Sequence, residues 1–428
     1  MKIKKGMLIT VVSIFLLKVI FDYLYFNYVS QYFVIDLFYL DYSLDKHVYS
    51  YLLLFVVSIF VLSSFNQIRK PSNVVILIMF LCIIIPLLTL YGFQNASSSF
   101  VLVVILSFVL IIVQINILPT IEFKIFHRSL VIVLLGGIVL IYLYVYSYLI
   151  FTGGLLRFNF NLEEVYDIRS EYAVLAAKGP LLGYFITWVA NVFNIGILSW
   201  GLFKKNKKFI IVAIILQLFL FGMTNFKSFL FAPCLVIFLY IFTKNRNLLL
   251  YSVLSVSILL LISYFSFVLY NDHQWSSMFI RRQFFTPSNL HLIYYDFFSH
   301  EYNPFIYLSN SIFQVFLEYP YQTEVTKVIS WEYWGKDGGP NVGFFANAYS
   351  NFGYFGIFIF SAMLGFILKI LDSLVSVLPH NLIAAFIAIP AFSLVNSGLF
   401  TTLLTHGFLV SILTLLIMGN LVKREGIK

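Results

Sequence analysis

The stretch VVILIMFLCIIIPLLTLY, residues 74–91, contains no charged side chain. A run of this length is sufficient to cross the hydrocarbon core of a bilayer as a helix, which takes roughly 17–25 residues. Similar runs recur along the chain between short polar breaks, and they predict an all-α polytopic membrane protein with about twelve transmembrane helices. The predicted spans are 7–29, 49–65, 74–91, 100–118, 130–151, 180–203, 209–223, 229–243, 248–270, 341–368, 374–395 and 399–421.

The composition agrees with a chain whose main solvent is lipid. Of its 428 residues, 61% are hydrophobic and 11% are charged, against about 45–50% and about 25% in soluble domains. These values exclude a cytosolic enzyme, a disulfide scaffold and a disordered chain. The two cysteines, Cys82 and Cys234, lie in apolar runs without metal-ligand spacing, so we expect neither a metal site nor a cofactor.

The basic residues determine the predicted orientation. When the twelve spans alternate, runs such as KKNKK (204–208) and TKNRN (243–247) fall on the same side as both termini, and basic loops mark the cytoplasmic side. The net charge of +9 therefore indicates topology, and we expect membrane lipids rather than nucleic acid as partners. Two larger loops, 152–179 and 271–340, then lie on the outer side of a single membrane domain covering residues 1–428.

Two spans in the middle of the chain, 209–223 and 229–243, are each short for a full crossing. They predict either two short spans or one hairpin broken at residues 224–228. Lys227 lies at the tip of this hairpin, where a charge at membrane depth usually faces a cavity; the alternative is a lysine that snorkels to the surface. In the first span, Lys18 and Asp22 share one helix face, and we expect them to pair with each other or with the bundle; the alternative is a proton relay.

The larger outer loop carries two adjacent arginines followed by a helix start. Thr286 and Pro287 predict an N-cap and a first helical position, and the mixed pattern that follows is typical of a helix lying in the membrane interface. Planar guanidinium groups suit a diphosphate, so Arg281 and Arg282 are candidate ligands for one. The alternative is contact with lipid head groups.

Several other outer-side polar residues are candidates for a site. Arg169 stands out within YDIR (166–169) in the first outer loop. Tyr294, Asn341 and Asn347 either line a substrate cavity or pack between helices. For a general base the spacing does not choose among the available groups, which include His273, His291, His300, Asp296 and Glu301.

Four segments resemble the Wzy-type oligosaccharide repeat-unit polymerases, which polymerise O-antigen or capsular polysaccharide. They are RRQFFTPSNLHLIYYDFF (281–298), GPNVGFFANAYSNFGYFGIF (339–358), YDIRSEY (166–172) and TNFKSFLFAP (224–233). The number of spans, the basic inner loops and the dominant late outer loop are also similar to that family. The resemblance implies a GT-C-like enzyme that needs no metal and acts on undecaprenyl-diphosphate-linked oligosaccharide. It further implies a reaction at the outer face of the bacterial inner membrane, and a chain-length regulator as a partner.

The resemblance also implies roles for the candidate residues. Four cations would hold the leaving diphosphate, namely Arg169, Lys227, Arg281 and Arg282. His291 and Asp296 would be the candidates for the base. The alternatives are an O-antigen ligase, which differs in its acceptor, and a lipid-linked oligosaccharide flippase, against which the long loop 271–340 argues. A purely structural or receptor role is the remaining alternative, in which the cations would be dispensable.

Overall fold

The computed structural model describes most of the chain, and every regular element in the described residues is helical. The described residues are 2–66, 70–123, 126–156, 158–159, 179–244, 247–300, 306–309, 316 and 318–424. Most of the first outer loop, including Arg169, lies outside them.

Ten helices in this described part are long and apolar enough to cross a membrane, and two shorter apolar helices accompany them. Together they correspond to the twelve predicted spans, so the prediction of an all-α polytopic membrane protein is confirmed. In chain order the twelve are α1 (Gly6–Tyr32), α2 (Leu44–Phe65), α3 (Ser72–Phe93), α4 (Ser98–Ile117), α5 (Arg128–Phe151), α6 (Leu182–Phe203), α7 (Lys207–Thr224), α8 (Lys227–Phe242), α9 (Leu248–Tyr270), α10 (Phe344–Ser376), α11 (His380–Val395) and α12 (Leu399–Val422).

The middle pair of spans forms two helices, α7 and α8, which are separated only by Asn225 and Phe226. α8 has 16 residues, and at 1.5 Å per residue it is about 24 Å long. The hydrocarbon core is roughly 30 Å thick. At least one end of α8 therefore stops short of a membrane surface, and Lys227 is its first residue.

The break between the tenth and eleventh spans falls later than predicted. α10 continues through Lys369 and Asp372 to Ser376, and α11 begins after Pro379, which has extended backbone (φ −66°, ψ 140°). A proline cannot continue a helix but is tolerated at a helix start. Asp372 has a structural reason to be helical, because its carboxylate accepts the N–H of Ser72 at 2.9 Å and so satisfies a donor at the start of α3.

The centre of the bundle is α3, which is buried along its whole length. A buried ion pair within α1 is hydrogen-bonded to both α2 and α3. Lys18 Nζ lies 2.5 Å from Asp22 Oδ1, which confirms the predicted pair. The Asp22 carboxylate also accepts hydroxyl hydrogen bonds from Tyr51 on α2 at 2.6 Å and Thr89 on α3 at 2.9 Å. A buried charge is tolerated when its partners satisfy it in this way.

The larger outer loop begins with a helix of residues 273–300, called the loop helix here. It consists of three consecutive segments: an α-helical turn His273–Ser276, a π-helical segment Ser277–Phe285 and an α-helix Thr286–His300. The predicted N-cap at Thr286 is wrong, because the chain is already helical at that point. The wider π turn lies directly before Pro287, whose ring and missing N–H disturb an α-helical hydrogen-bond ladder.

The loop helix enters the bundle instead of lying flat on its surface. Nine of the fifteen residues of Thr286–His300 are buried. Ser288 Oγ donates to the carbonyl oxygen of Ile83 at 3.2 Å, near the middle of α3. The apolar positions of this helix therefore pack against helices, and the helix forms an inner wall of the bundle rather than a roof over it.

Candidate functional site

A cavity of about 840 Å³ lies between α8, α9, α11 and the first half of the loop helix. Its apolar lining comes from all of these elements and from the residue after α1. Apolar lining residues are Phe33, Phe226, Phe231, Ala232, Leu235, Leu259, Met278, Phe279, Ile389 and Phe392. Polar and charged lining residues include Asn225, Lys227, His273, Gln274, Arg282 and Gln283.

The carboxyl-terminal ends of odd-numbered helices meet at this cavity. Phe33 follows α1, Asn225 follows α7 and Asn396 follows α11, while only two residues separate the loop helix from α9. A chain that crosses a membrane twelve times must bring the ends of its odd-numbered helices to one side. The cavity therefore lies at the end of the bundle that the charge pattern predicts to be outer.

The α7–α8 turn brings Lys227 to the cavity. Asn225 adopts the left-handed conformation (φ 55°) that often ends a helix, and its N–H donates to the Phe221 carbonyl at 2.7 Å. The chain then reverses through Phe226, and the half-buried Lys227 opens α8. Asn225 is fully buried, and its Oδ1 has no hydrogen-bond partner among the described residues.

The two adjacent arginines of the loop helix have different surroundings. The exposed Arg282 lines the cavity, as Lys227 does. Arg281 is not among the described lining residues. Its guanidinium pairs with the Asp36 carboxylate, its Nε donates to Ser277 Oγ at 3.0 Å, and its Cζ lies 4.3 Å from the ring centre of Phe33. Arg281 thus ties the loop helix to the segment after α1, whereas Arg282 contributes charge to the cavity.

His273 is the one histidine among the described lining residues. Its Nδ1 lies 3.3 Å from the hydroxyl of Tyr28, whose oxygen is in turn 2.5 Å from Ser276 Oγ. The imidazole ring also packs on Tyr28, Tyr32 and Phe267, with ring centres 4.8–5.9 Å apart. These contacts orient the ring through Nδ1 and its faces, and Nε2 makes no hydrogen bond to the described residues.

Sequence reasoning named His273 but could not choose it, and the π-helical segment explains why. On an α-helix, nine residues at 3.6 per turn place His273 and Arg282 about 180° apart. A π-helix bonds five residues apart and has about 4.4 residues per turn, or about 82° per residue. Four α-helical steps from His273 to Ser277 and five π-helical steps from Ser277 to Arg282 therefore reduce this separation to about 90°. The two side chains can then line one cavity. The helix start at Asp272, whose carboxylate accepts the Gln274 N–H at 2.7 Å, was the available sequence signal.

His291, a predicted base, is packed inside the bundle. It is fully buried, its Nδ1 lies 2.7 Å from the Pro287 carbonyl oxygen, and its Nε2 has no partner among the described residues. Burial lowers the pKa of His291 from 6.5 to about 4. A Cβ on Gly343 would lie only 2.6 Å from His291 Cε1, so the ring is closely covered. His291 is not among the described residues that line the cavity.

The remaining predicted site residues also lie away from the described lining of the cavity. Asp296 is 59% exposed and accepts a hydrogen bond from the Tyr333 hydroxyl at 2.6 Å. The Tyr294 hydroxyl donates to the Pro340 carbonyl at 2.6 Å, Asn341 is exposed, and Asn347 packs against Gly398. Their roles as base or lining residues stay predictions, as does that of Arg169, which lies outside the described residues.

The cavity has the chemistry of a site for an anionic amphiphile. Lys227 and Arg282 supply positive charge, and the aromatic and aliphatic residues of the spans supply an apolar wall. Ammonium and guanidinium groups are the side chains that bind phosphates most strongly. Within the described ranges, no three potential metal-ligating side chains come together.

No protein-family model, no curated protein and no solved structure matches the chain.

Proposed function

We propose that this protein is a membrane polymerase that joins undecaprenyl-diphosphate-linked oligosaccharide repeat units into O-antigen or capsular polysaccharide. A sugar hydroxyl of an incoming lipid-linked unit attacks the anomeric carbon of the growing chain. Undecaprenyl diphosphate is the leaving group, so the energy of the glycosyl diphosphate drives the transfer. The reaction needs no nucleotide at the outer face of the membrane.

One observation carries the proposal: Lys227 and Arg282 come from distant parts of the chain and line one largely apolar cavity. Negative charge develops on the diphosphate as the glycosidic bond breaks, and fixed cations stabilise that charge. The apolar wall suits the first isoprene units of the lipid. Both cations also lie within segments that resemble the Wzy-type polymerases.

The proposal includes a location in the bacterial inner membrane, with both termini in the cytoplasm and the cavity at the outer face. Reporter fusions test the orientation. Alkaline phosphatase fused near Lys336 should be active, because that enzyme folds only outside the cytoplasm, and a fusion near Lys205 should be inactive. Activity at Lys205 would remove the basis for a reaction at the outer face.

A reconstituted assay tests the reaction itself. Lipid-linked repeat units extracted from a deletion strain are given to the purified protein in detergent with a chelator and no nucleotide. We expect products of two, three and more repeat units. Strict dependence on an added divalent metal would contradict the proposed cation-based mechanism.

The same deletion strain separates the alternative functions. A polymerase predicts that the surface polysaccharide collapses to a single repeat unit on a gel. Loss of even the single-unit band indicates a ligase or a flippase. Transbilayer movement of the lipid-linked unit in liposomes, without any extension, would favour the flippase.

A further inference from the structure

We infer that His273 is the general base that takes the proton from the attacking sugar hydroxyl. The inference rests on the proposed function, because it requires the cavity to be the place of glycosyl transfer. His273 lines the same cavity as Lys227 and Arg282. It is the only His, Asp or Glu among the described lining residues, and so the only one of them with a side chain of the types that serve most often as a general base.

The hydrogen bonds around His273 accommodate the tautomer that the step requires. Ser276 Oγ lies 3.4 Å from the Asp272 carbonyl oxygen and can donate to it, which allows it to accept the hydrogen of Tyr28 across 2.5 Å. The Tyr28 oxygen can then accept from His273 Nδ1, which lies 3.3 Å away. In this tautomer, which the proposal assigns, Nδ1 carries the hydrogen of the neutral ring and Nε2 keeps its lone pair as the basic atom.

The proposed step balances without any further reactant. The acceptor hydroxyl loses its proton to Nε2 of His273 while its oxygen forms a bond to the anomeric carbon. The bond from that carbon to the diphosphate oxygen breaks, and the electron pair leaves with the diphosphate. Lys227 and Arg282 stabilise the new negative charge, and the imidazolium returns its proton to water after the product has moved.

The neighbours of His273 come from α1, α9, α8 and the loop helix, and several of them are charged or titratable. Tyr28 and Tyr32 face it from α1, and α9 contributes Phe267, which does not titrate. On the loop helix itself, Asp272 precedes it and Arg282 lines the same cavity, to which α8 contributes Lys227.

The test compares His273→Gln with His300→Gln in the reconstituted assay. His300 is a matched control, because it lies on the same loop helix with its side chain 78% exposed. Removing a general base typically costs about a hundred- to ten-thousandfold in rate. We expect His273→Gln to lower kcat by such a factor, and to lose the acidic limb of the pH–rate profile. The control should keep the wild-type rate and profile.

Binding and rescue distinguish catalysis from a structural effect. Binding of undecaprenyl diphosphate without sugar should change less than about threefold in His273→Gln, and imidazole should restore part of the activity of His273→Ala. Tyr28→Phe tests the positioning residue, since it removes the acceptor for Nδ1–H; it should lower kcat less than His273→Gln does and leave KM unchanged.

Wild-type kcat in His273→Gln would overturn the assignment of the base while leaving the proposed function intact. Equal loss of kcat and of lipid-diphosphate binding, without rescue by imidazole, would also overturn it. Failure of the wild-type protein both to bind undecaprenyl diphosphate and to extend the lipid-linked unit would instead contradict the proposed function.

Discussion

The two halves of the loop helix contain similar residues but have different environments. Residues 273–285 present His273 and Arg282 to a cavity. Residues 286–300 carry His291 and Asp296, of which the first is sealed in the bundle and the second is exposed and bonded to Tyr333. A histidine and a charged group therefore occur in both halves. Only their neighbours show that one pair lines a cavity, whereas in the other pair the histidine is packed in the bundle and the carboxylate is exposed.

Adjacent positions within the first half differ as much as the two halves do. Arg281 pairs with Asp36 and stacks on Phe33, whereas Arg282 lines the cavity. Of two adjacent arginines, one thus has a structural contact and the other lines the candidate site. The comparison teaches that residue type and position in a motif do not assign a role until the partners are known.

After the loss expected for His273→Gln, the largest expected effect is on the cavity cations. Arg282→Ala and Lys227→Ala should each reduce the rate of chain extension roughly a hundred- to a thousandfold, because a contact to the developing diphosphate charge is lost. Arg282→Lys should recover only part of this, since an ammonium lacks the planar fork of donors. The measurement is initial rate with lipid-linked repeat units, at matched protein levels.

Lys327→Ala is the control for these variants, because this exposed lysine lies on another helix of the outer loop, Val325–Trp334. A competing explanation is that the cations only stabilise the carbonyl ends of helices that meet there. In that case the cavity variants would lower the melting temperature and leave the rate of the folded protein unchanged.

The second expected effect concerns the pH dependence of stability and the buried half of the loop helix. The pKa of His291 falls from 6.5 to about 4 on folding, so the unfolded chain binds more protons between these values. Its contribution to stability is complete above pH 6.5 and decreases as the pH falls toward 4. The difference corresponds to about 3 kcal/mol.

Thermal unfolding in detergent between pH 7 and 4.5 measures this effect. The wild type and His300→Gln should lose stability across the window, and His291→Gln should lose much less. An identical pH dependence in His291→Gln would show that the ring is accessible to protons in the folded state, and would bring it back as a candidate base.

A smaller effect is expected at the ion pair of Arg281. Its side chain is 14% exposed and that of Asp36 is 38% exposed. The contribution of this ion pair to stability should therefore be intermediate between that of an exposed pair and that of a buried pair. We expect Arg281→Gln and Asp36→Asn each to lower the free energy of unfolding by about 1–2 kcal/mol, and the double variant by little more than either. Lys327→Gln, at an exposed position of the helix Val325–Trp334, should not change it. Additive losses would argue against the pairing.

The smallest expected effect is at Asp296. Its exposed carboxylate lies outside the described lining of the cavity, so Asp296→Asn should keep the rate of chain extension within about twofold of the wild type. The pKa of Tyr333 is raised, chiefly by burial and secondly by its hydrogen bond to Asp296. Tyr333→Phe should likewise leave the rate of chain extension nearly unchanged. A large loss of kcat in Asp296→Asn would move the base to the second half of the loop helix.

The fold class and the helix order could be predicted from sequence because they depend on local properties. A spanning segment in a bilayer must be apolar and must form its backbone hydrogen bonds within itself. The signal for each span therefore lies within about 20 consecutive residues. The Lys18–Asp22 pair was predictable for the same reason, since four residues on one helix bring the two groups together. The boundary between α10 and α11 was less predictable, because Asp372 is held in α10 by its hydrogen bond to Ser72, 300 positions away.

The residue pattern predicts an apolar chain of about twelve helices with cations at Lys227, Arg281 and Arg282. Folding is what brings Lys227 and Arg282 to one cavity, pairs Arg281 with Asp36, and places His273 rather than His291 in the cavity wall. These relations join residues from α8, α1 and the loop helix, which lie far apart in the chain, so no local pattern could show them. They also depend on a π-helical turn that changes which side chains share a face.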